Sequence, residues 1–401
     1  MLGVMANFIA PWTSQEGTDR ARAQFVAEFG RPPEVVCSAP GRVNLIGEHT
    51  DIFGGLCLPI ALPHRTFVAL SSSMSDAVQL ASSAASPWQA GLAEVAPGRL
   101  SGWGAYPAGV AWALARRGLL VDGFLGFVDS CVPLGAGLSS SAALECAFAL
   151  GLNRLSTEPW AESRANRLTM AAAAIDAENL IVGAATGSMD QTISLLATLG
   201  QALLLDFTSG QHTAVPFDLT SYDLSLLVID TRTKHDLADG QYAARRAQGD
   251  LAAQSLDLAS LSELGPDQLA GALDSLDDCL LRRRVRHVVS ENQRVRETVA
   301  ALELGDFGQV GRLFSASHVS LRDDYQVSSA ELDLAVDSAM VAGAMGARMT
   351  GGGFGGSAIA LVSTSRIDAV AEAVTSAFAD QGWAEPAFLL ATAGGPAQSE
   401  T

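Results

Sequence analysis

Arg42, Glu48, His49 and Asp51 lie within ten residues of one another, in Pro40-Gly41-Arg42-Val43-Asn44-Leu45-Ile46-Gly47-Glu48-His49-Thr50-Asp51. That density of donors and acceptors suits a polyhydroxylated ligand. Taken alone, it suits equally a surface loop laced by internal salt bridges. A second segment, Pro133-Leu134-Gly135-Ala136-Gly137-Leu138-Ser139-Ser140-Ser141-Ala142-Ala143, sets two glycines ahead of three serines. Small residues let backbone N–H groups approach an anion. Serine caps a helix start, where unpaired N–H groups and a partial positive charge favour phosphate. An ordinary capped helix after a glycine turn shares this composition. No GxxxxGK[ST] run occurs, and the single lysine, Lys234, is far from the loop, so this is not a Walker A site. The third segment is Thr350-Gly351-Gly352-Gly353-Phe354-Gly355-Gly356. The first carries charged side chains that a phosphoryl-transfer or sugar site would need, and together the three read as a nucleotide-dependent enzyme.

A carboxylate able to act as base is present in Gly187-Ser188-Met189-Asp190-Gln191, after a helical stretch holding Glu178. In a glycine-bounded turn Asp190 could reach a substrate hydroxyl, and such a base contributes about 10²–10⁴-fold in rate. Spacing alone fits a helix-capping aspartate as well.

The elements that must position these groups alternate strands with long helices. Val35–Ala39 reads as a strand broken by Pro40 and Gly41, leaving the first segment as a loop. Further strands are expected at Leu56–Leu62, Phe67–Ser72, Gly126–Asp129, Ala202–Phe207, Leu224–Ile229, Ser357–Val362 and Ala387–Ala391. Helices are expected at Tyr106–Arg117, Ser140–Leu155, Glu162–Val182 and Ile367–Ala379, with a mostly helical region from 236 to 340. In that region Arg282-Arg283-Arg284 and Glu291 read as solvated helix faces. Gly394–Thr401 reads as a loose tail.

Composition narrows the partners. With 401 residues, 48% of them hydrophobic, the chain can bury more than one core. A net charge of −18 argues against nucleic acid and anionic membrane as partners, so a nucleotide must be held by local dipoles, a metal and a few arginines. Five cysteines without a CxxC pair argue against disulfides and structural zinc, and for a reduced, cytoplasmic protein. No basic region precedes an apolar stretch near Met1, which argues against a secretory signal. The weakly charged run from Met340 to Val362 contains Arg348 and many glycines, and reads as a glycine loop rather than a membrane span.

In this order the segments resemble the galactokinases of the GHMP kinase superfamily. Residues 41–51 resemble the galactokinase signature, 133–143 the shared ATP motif, and 350–356 the third motif. Ala177-Glu178-Asn179 with Gly187–Gln191 resembles the catalytic stretch. Lys234-His235-Asp236-Leu237 with Gln241-Tyr242 and Arg245-Arg246 resembles a further sugar-site segment. The resemblance implies an α+β, two-lobed fold with the active site in the cleft between lobes, divided as residues 1–205 and 206–401. It implies Asp190 as base toward a sugar's anomeric hydroxyl and Arg42 beside it, keeping it ionised. Glu48, His49, Asp51, Gly187 and Tyr242 would hold the sugar. Pro133, Gly135, Ala136, Gly137, Leu138, Ser139, Ser140, Ser141 and Ala142 would wrap ATP. Glu178 and Ser141 would bind Mg²⁺, with Ser140 a substitute for Ser141. Trp103 would line the adenine pocket, or serve as a core tryptophan. The loop at Gly352 and Gly353 would close over sugar and phosphate. The implied partners are sugar and ATP, and the implied state is a monomer.

The family usually reads HTDYN where this chain has His49-Thr50-Asp51-Ile52-Phe53. Two lost polar groups could redirect preference among galactose, N-acetylgalactosamine and related sugars, or both side chains could pack outward and change nothing. A sugar- and ATP-binding sensor is a rival, but such relatives lack the Ser-Ala pair that is intact here as Ser141-Ala142. A kinase for a non-sugar alcohol is another, disfavoured by the polar Glu48-His49-Asp51 cluster.

Overall fold

The computed structural model describes residues 6–184, 186–233 and 238–400. Its backbone divides between two sheets. One is six-stranded, in the spatial order Gln398–Ser399, Val35–Asn44, Pro59–Ser72, Phe124–Ser130, Ala77–Ser82, Trp88–Gly91. The other is five-stranded, in the order Asn7–Phe8, Ala387–Ala391, Leu224–Asp230, Ser357–Ser363, Gly346–Thr350. Most pairings are antiparallel. Ala77–Ser82 runs parallel to Phe124–Ser130, with the helix Ala105–Ala115 in the crossover between them, as a parallel pair requires. A small third sheet joins Leu56–Cys57, Gln201–Asp206 and Gln211–Pro216.

Each large sheet has its own apolar core. Val68, Leu70, Phe124 and Phe148 mark the first, and Leu227, Ile229, Ala358 and Phe388 the second. A further cluster joins the lobes, packing Val43, Ile60, Val132 and Leu138 against Val228, Phe314, Ile359 and Leu389. The polar segments are thus carried on a continuous apolar base. The chain ends cross over: Asn7–Phe8 pairs with Ala387 and Phe388, whereas Gln398–Ser399 pairs with Ser38 and Cys37. Residues 394–400 are therefore not a loose tail. Ala397 is fully buried and Arg65 holds the Pro396 carbonyl at 2.8 Å.

Several expected boundaries shift. Pro40 and Gly41 do not end the strand, which runs from Val35 to Asn44 through a register shift between Pro40 and Arg42. A bulge tolerates the missing proline N–H. The strands expected at 56–62 and 67–72 become Leu56–Cys57 and one continuous strand, Pro59–Ser72. Gln211–Pro216 is a strand that the sequence pattern did not announce. The helix expected over 162–182 is Arg164–Asp176, followed by one wide π turn, Ala177–Val182, that carries Glu178. Such turns often mark functional positions. The arginine run is not a solvated face throughout, because Arg284 is buried and donates to Tyr325 O at 2.9 Å and Gln248 Oε1 at 2.8 Å. Glu291 is fully buried as well. Both were misplaced for one reason: a long helix such as Cys279–Leu304 turns charged residues inward where partners wait, carbonyl oxygens for Arg284 and the Gly47 N–H, the Ser317 hydroxyl and Arg294 for Glu291.

Ile52 and Phe53 do not pack outward. Phe53 joins the core of the five-stranded lobe, and Ile52 packs against it. The Phe53 ring occupies the space above Gly249, where an added Cβ would lie 2.2 Å from the ring. Gly249 belongs to the helix Ala238–Ser255, which also carries Tyr242. Phe53→Ala should cost about 3–5 kcal/mol, the usual range for a buried phenylalanine, seen as a lower denaturant midpoint. An unchanged midpoint would mean the ring does not anchor this helix.

Candidate active site

A cavity of about 470 Å³ opens between the lobes. Its wall includes Arg42, Glu48, His49 and Asp51 from the first segment, Gly137 from the second, and Gly351, Gly352 and Gly353 from the third. Glu178, Gly187, Asp190 and Tyr242 complete the predicted residues that line it. Segments some 300 residues apart in sequence therefore face one space.

Arg42 is at its centre. Its Nε and Nη2 each donate at 2.8 Å to Oδ1 and Oδ2 of Asp190, a two-pronged pair. Its Nη1 donates at 2.6 Å to the Gly137 carbonyl of the glycine loop. Arginine's planar fork makes this three-way contact possible, whereas lysine's point charge could not. Asp190 lies in the first turn of the helix Met189–Leu196 rather than in a free turn. Its carboxylate accepts from Arg42 and from the Ser139 hydroxyl, and so is not spent as a helix cap. Ser139 likewise does not cap its helix. It sits at φ 58° and turns its hydroxyl to Asp190.

Asp51 stands opposite. Its Oδ2 fills the space where a Cβ on Gly187 would sit, only 1.7 Å away, so any side chain at 187 would displace the Asp51 carboxylate. Burial, and then the charge of Asp190, push its carboxyl from an ordinary 3.8 up to about 6. His49 is held neutral: burial and neighbouring His287 press it down to about 3. Its Nε2 lies 3.1 Å from the Gly352 carbonyl, which can only accept, so Nε2 carries the proton and Nδ1 is an acceptor without a partner among the described residues. The His49 ring packs 5.1 Å from the Tyr242 ring and 4.8 Å from that of Tyr325. Glu48 Oε1 accepts from the Gly351 N–H at 3.0 Å. The third segment is thus already docked on the first.

On the far side, Glu178 accepts from Thr186 at 2.8 Å and from Gln191 at 2.7 Å. Burial raises its carboxyl, and the charge of Asp190 adds to this. A cation beside it would relieve both. Among the described residues no group of three or more His, Cys, Asp or Glu forms a metal cage. Mg²⁺ is commonly held by one or two carboxylates plus substrate phosphates and water, and the hard oxygens of Glu178 and Ser141 fit that use.

Not every predicted residue meets this cavity. Pro133, Gly135, Ala136 and Leu138 belong to the turn before the helix Ser140–Leu155, with Gly135 exposed and Ala136 and Leu138 buried. Ser140 and Ala142 lie in that helix's first turn. Trp103 is outside the cavity wall, packed against the core of the six-stranded lobe and donating to the Ser86 carbonyl at 2.9 Å. Lys234, His235, Asp236 and Leu237 lie outside the described residues. Sequence reading missed Thr186, Tyr325 and the ionic pair Arg348–Glu291. Arg348 did leave a signal, since a single charge in the weakly charged run 340–362 must be paired if it is buried.

Family models match three stretches: the galactokinase galactose-binding signature at residues 23–72, the GHMP kinases N terminal domain at 105–198, and the GHMP kinases C terminal region at 298–380. The two-lobed fold with its three glycine segments around one cleft is that of a GHMP kinase. The galactokinase of Streptomyces coelicolor is 46% identical over 361 residues, covering 89% of this chain and 92% of that one. The galactokinase of Mycobacterium tuberculosis is 44% identical, covering 87% and 94%. A crystal structure of Lactococcus lactis galactokinase complexed with galactose aligns with a TM-score of 0.87 at 31% identity, over 94% of this chain and 98% of that one. Mevalonate kinase of Methanococcus jannaschii shares the fold, with a TM-score of 0.64 at 15% identity. The chain belongs to the galactokinase family. Among the described residues, no helix is long and apolar enough to cross a membrane.

Proposed function

We propose that this protein transfers the γ-phosphoryl group of ATP to the anomeric hydroxyl of D-galactose, giving galactose 1-phosphate and ADP. The observation that carries this reading is the Arg42–Asp190 pair, facing the cavity and tied through Gly137 to the glycine loop. Among the described residues, Asp190 Oδ2 already accepts from Arg42 and Ser139, while Oδ1 accepts only from Arg42 Nε. Oδ1 therefore keeps a lone pair for the sugar. The anomeric O–H gives its proton to Oδ1 as its oxygen bonds to the γ-phosphorus, and the bond to the β-phosphate oxygen breaks. Arg42 holds Asp190 oriented and ionised, and its charge stabilises the transferring phosphoryl group. Asp51, His49, Glu48, Tyr242 and the Gly187 backbone hold the sugar. The turn from Pro133 to Ser141, with Ala142, wraps the phosphates. Mg²⁺, held by Glu178 and Ser141, would neutralise phosphate charge when bound. Phe53 lies in the core, the partly buried Ile52 packs against it, and neither lines the cavity, which supports galactose itself over an altered sugar.

ATP consumption with Mg²⁺ across galactose, N-acetylgalactosamine, glucose, arabinose and mevalonate tests this. Turnover with galactose is expected. Turnover only with another substrate would replace the sugar assignment, and binding without turnover would favour a sensor.

Asp51 gives a second test. Its raised carboxyl means that the folded state favours the neutral form. The stabilisation is full below about pH 4 and is lost as pH rises through 6. Asp51→Asn should therefore raise the melting temperature at pH 8, with a gain on the order of 2–3 kcal/mol, and little at pH 4. It should weaken galactose binding at the same time. Calorimetry at both pH values checks the sign; a lower melting temperature at pH 8 would contradict it.

A further inference from the structure

Arg348 belongs to the strand Gly346–Thr350, immediately before the third glycine segment, and its side chain is wholly buried. Its side-chain hydrogen bonds all lead to the first segment. Nη1 donates to the Leu45 carbonyl at 2.8 Å and to the Asn44 carbonyl at 3.3 Å, and Nη2 donates to Glu48 Oε2. Glu291 stands behind, with Oε1 3.9 Å from Nη2. That same oxygen accepts from the Gly47 N–H at 3.0 Å and from the Ser317 hydroxyl at 2.6 Å. Arg294 balances Glu291 at 2.7 Å. Glu48 closes the circuit, accepting at Oε1 from the Thr350 hydroxyl at 3.2 Å and the Gly351 N–H. Residues 44–48 are thus pinned by one guanidinium and two carboxylates, and the next residues along the chain are the cavity-lining His49 and Asp51.

We propose that Arg348 is a positioning residue for the sugar: its fork docks residues 44–48 onto the third glycine segment and so sets where Glu48, His49 and Asp51 project into the cavity. It lies outside the cavity wall and acts through Glu48. This rests on the reading of that wall as the galactose side of the site. Burial pushes the Glu48 carboxyl upward, and Arg348 is the strongest influence against it. Without Arg348, Glu48 would be left facing Glu291, and the anchor on the Asn44 and Leu45 carbonyls would be gone. None of the Arg348 hydrogen bonds is with the glycine loop at 133–142, so ATP binding should feel the change far less.

The test measures galactose affinity by calorimetry, and KM for galactose and for ATP, at a temperature where circular dichroism shows each variant folded. Arg348→Lys keeps the charge but loses the fork, and should raise the galactose KM about 5–10-fold with the ATP KM within about twofold. Arg348→Met should raise the galactose KM about 100-fold with the same selectivity. Because Arg348 acts through Glu48, adding Glu48→Gln to Arg348→Met should cost less than the product of the two single effects. Galactose KM within twofold of wild type in folded Arg348→Lys or Arg348→Met would reduce Arg348 to a stabilising role and overturn the proposal. So would equal losses for both substrates, or strictly multiplicative effects with Glu48→Gln. Where Arg348→Met fails to fold, Arg348→Lys decides. Asp51→Asn, measured in parallel, separates the two readings. Unchanged galactose affinity in that variant overturns the sugar wall and the proposal together, whereas weakened affinity there with normal Arg348 variants overturns the proposal alone.

Discussion

Asp190→Asn is expected to leave the fold and galactose binding nearly intact while lowering kcat about 10²–10⁴-fold, the usual contribution of a positioned base. The amide is close to isosteric, so the helix Met189–Leu196 and its packing need not change. What changes is the atom that receives the proton. Oδ1 of the amide can still accept a hydrogen bond but is too weakly basic to take a proton at neutral pH. The amide NH₂ would also confront the donors of Arg42 and Ser139, which now converge on Asp190. One side of that pair must turn away, so a small loss of stability should accompany the loss of turnover. Steady-state kinetics with a parallel galactose-binding measurement separates the effects. Near-wild-type kcat with intact binding would remove Asp190 from the base role. The reaction would then depend on positioning and charge alone, which phosphoryl transfer can use heavily.

Arg42→Ala should also fold, and it should lose about 10²–10³-fold in kcat, as removal of a transition-state charge donor does elsewhere. Three contacts disappear together: both prongs to Asp190 and the bond to the Gly137 carbonyl. Asp190 would then stand near Glu178 and Asp51 without its counter-charge. The ATP KM should rise as well, because the Gly137 contact steadies the glycine loop. Arg42→Lys should fall between, restoring charge without the two-pronged geometry. An unaltered kcat in Arg42→Ala would overturn the charge argument.

The local chemistry was legible in the chain. Gly135, Gly137 and the serines after them mark a strand-to-helix turn, and the helix does run Ser140–Leu155 as its apolar periodicity indicates. The crowding of Arg42, Glu48, His49 and Asp51 marked a polar site, because so many buried-capable charges in ten residues need partners. Strands with continuous apolar runs, such as Leu224–Asp230, were also readable. Pro40 misled, since its effect depends on whether a neighbouring strand accepts a bulge, and that neighbour is Pro59–Ser72. The tail misled similarly. Gln398–Ser399 has no strand signature of its own and is ordered because the edge at Cys37 and Ser38 was open to it.

Residue types and their short-range spacing determined the glycine turns, the helix starts and the presence of a charged site, because turn and capping preferences act within a few residues. Only the tertiary structure decided which charges are partners. Arg42 meets Asp190 across 148 residues, and Arg348 meets Glu48 across 300. Only packing could show that Phe53 fills the space above Gly249 instead of facing a sugar. These pairings are set by how two sheets and a shared apolar base bring distant strands together. A chain's local pattern carries no record of that long-range geometry until it is folded.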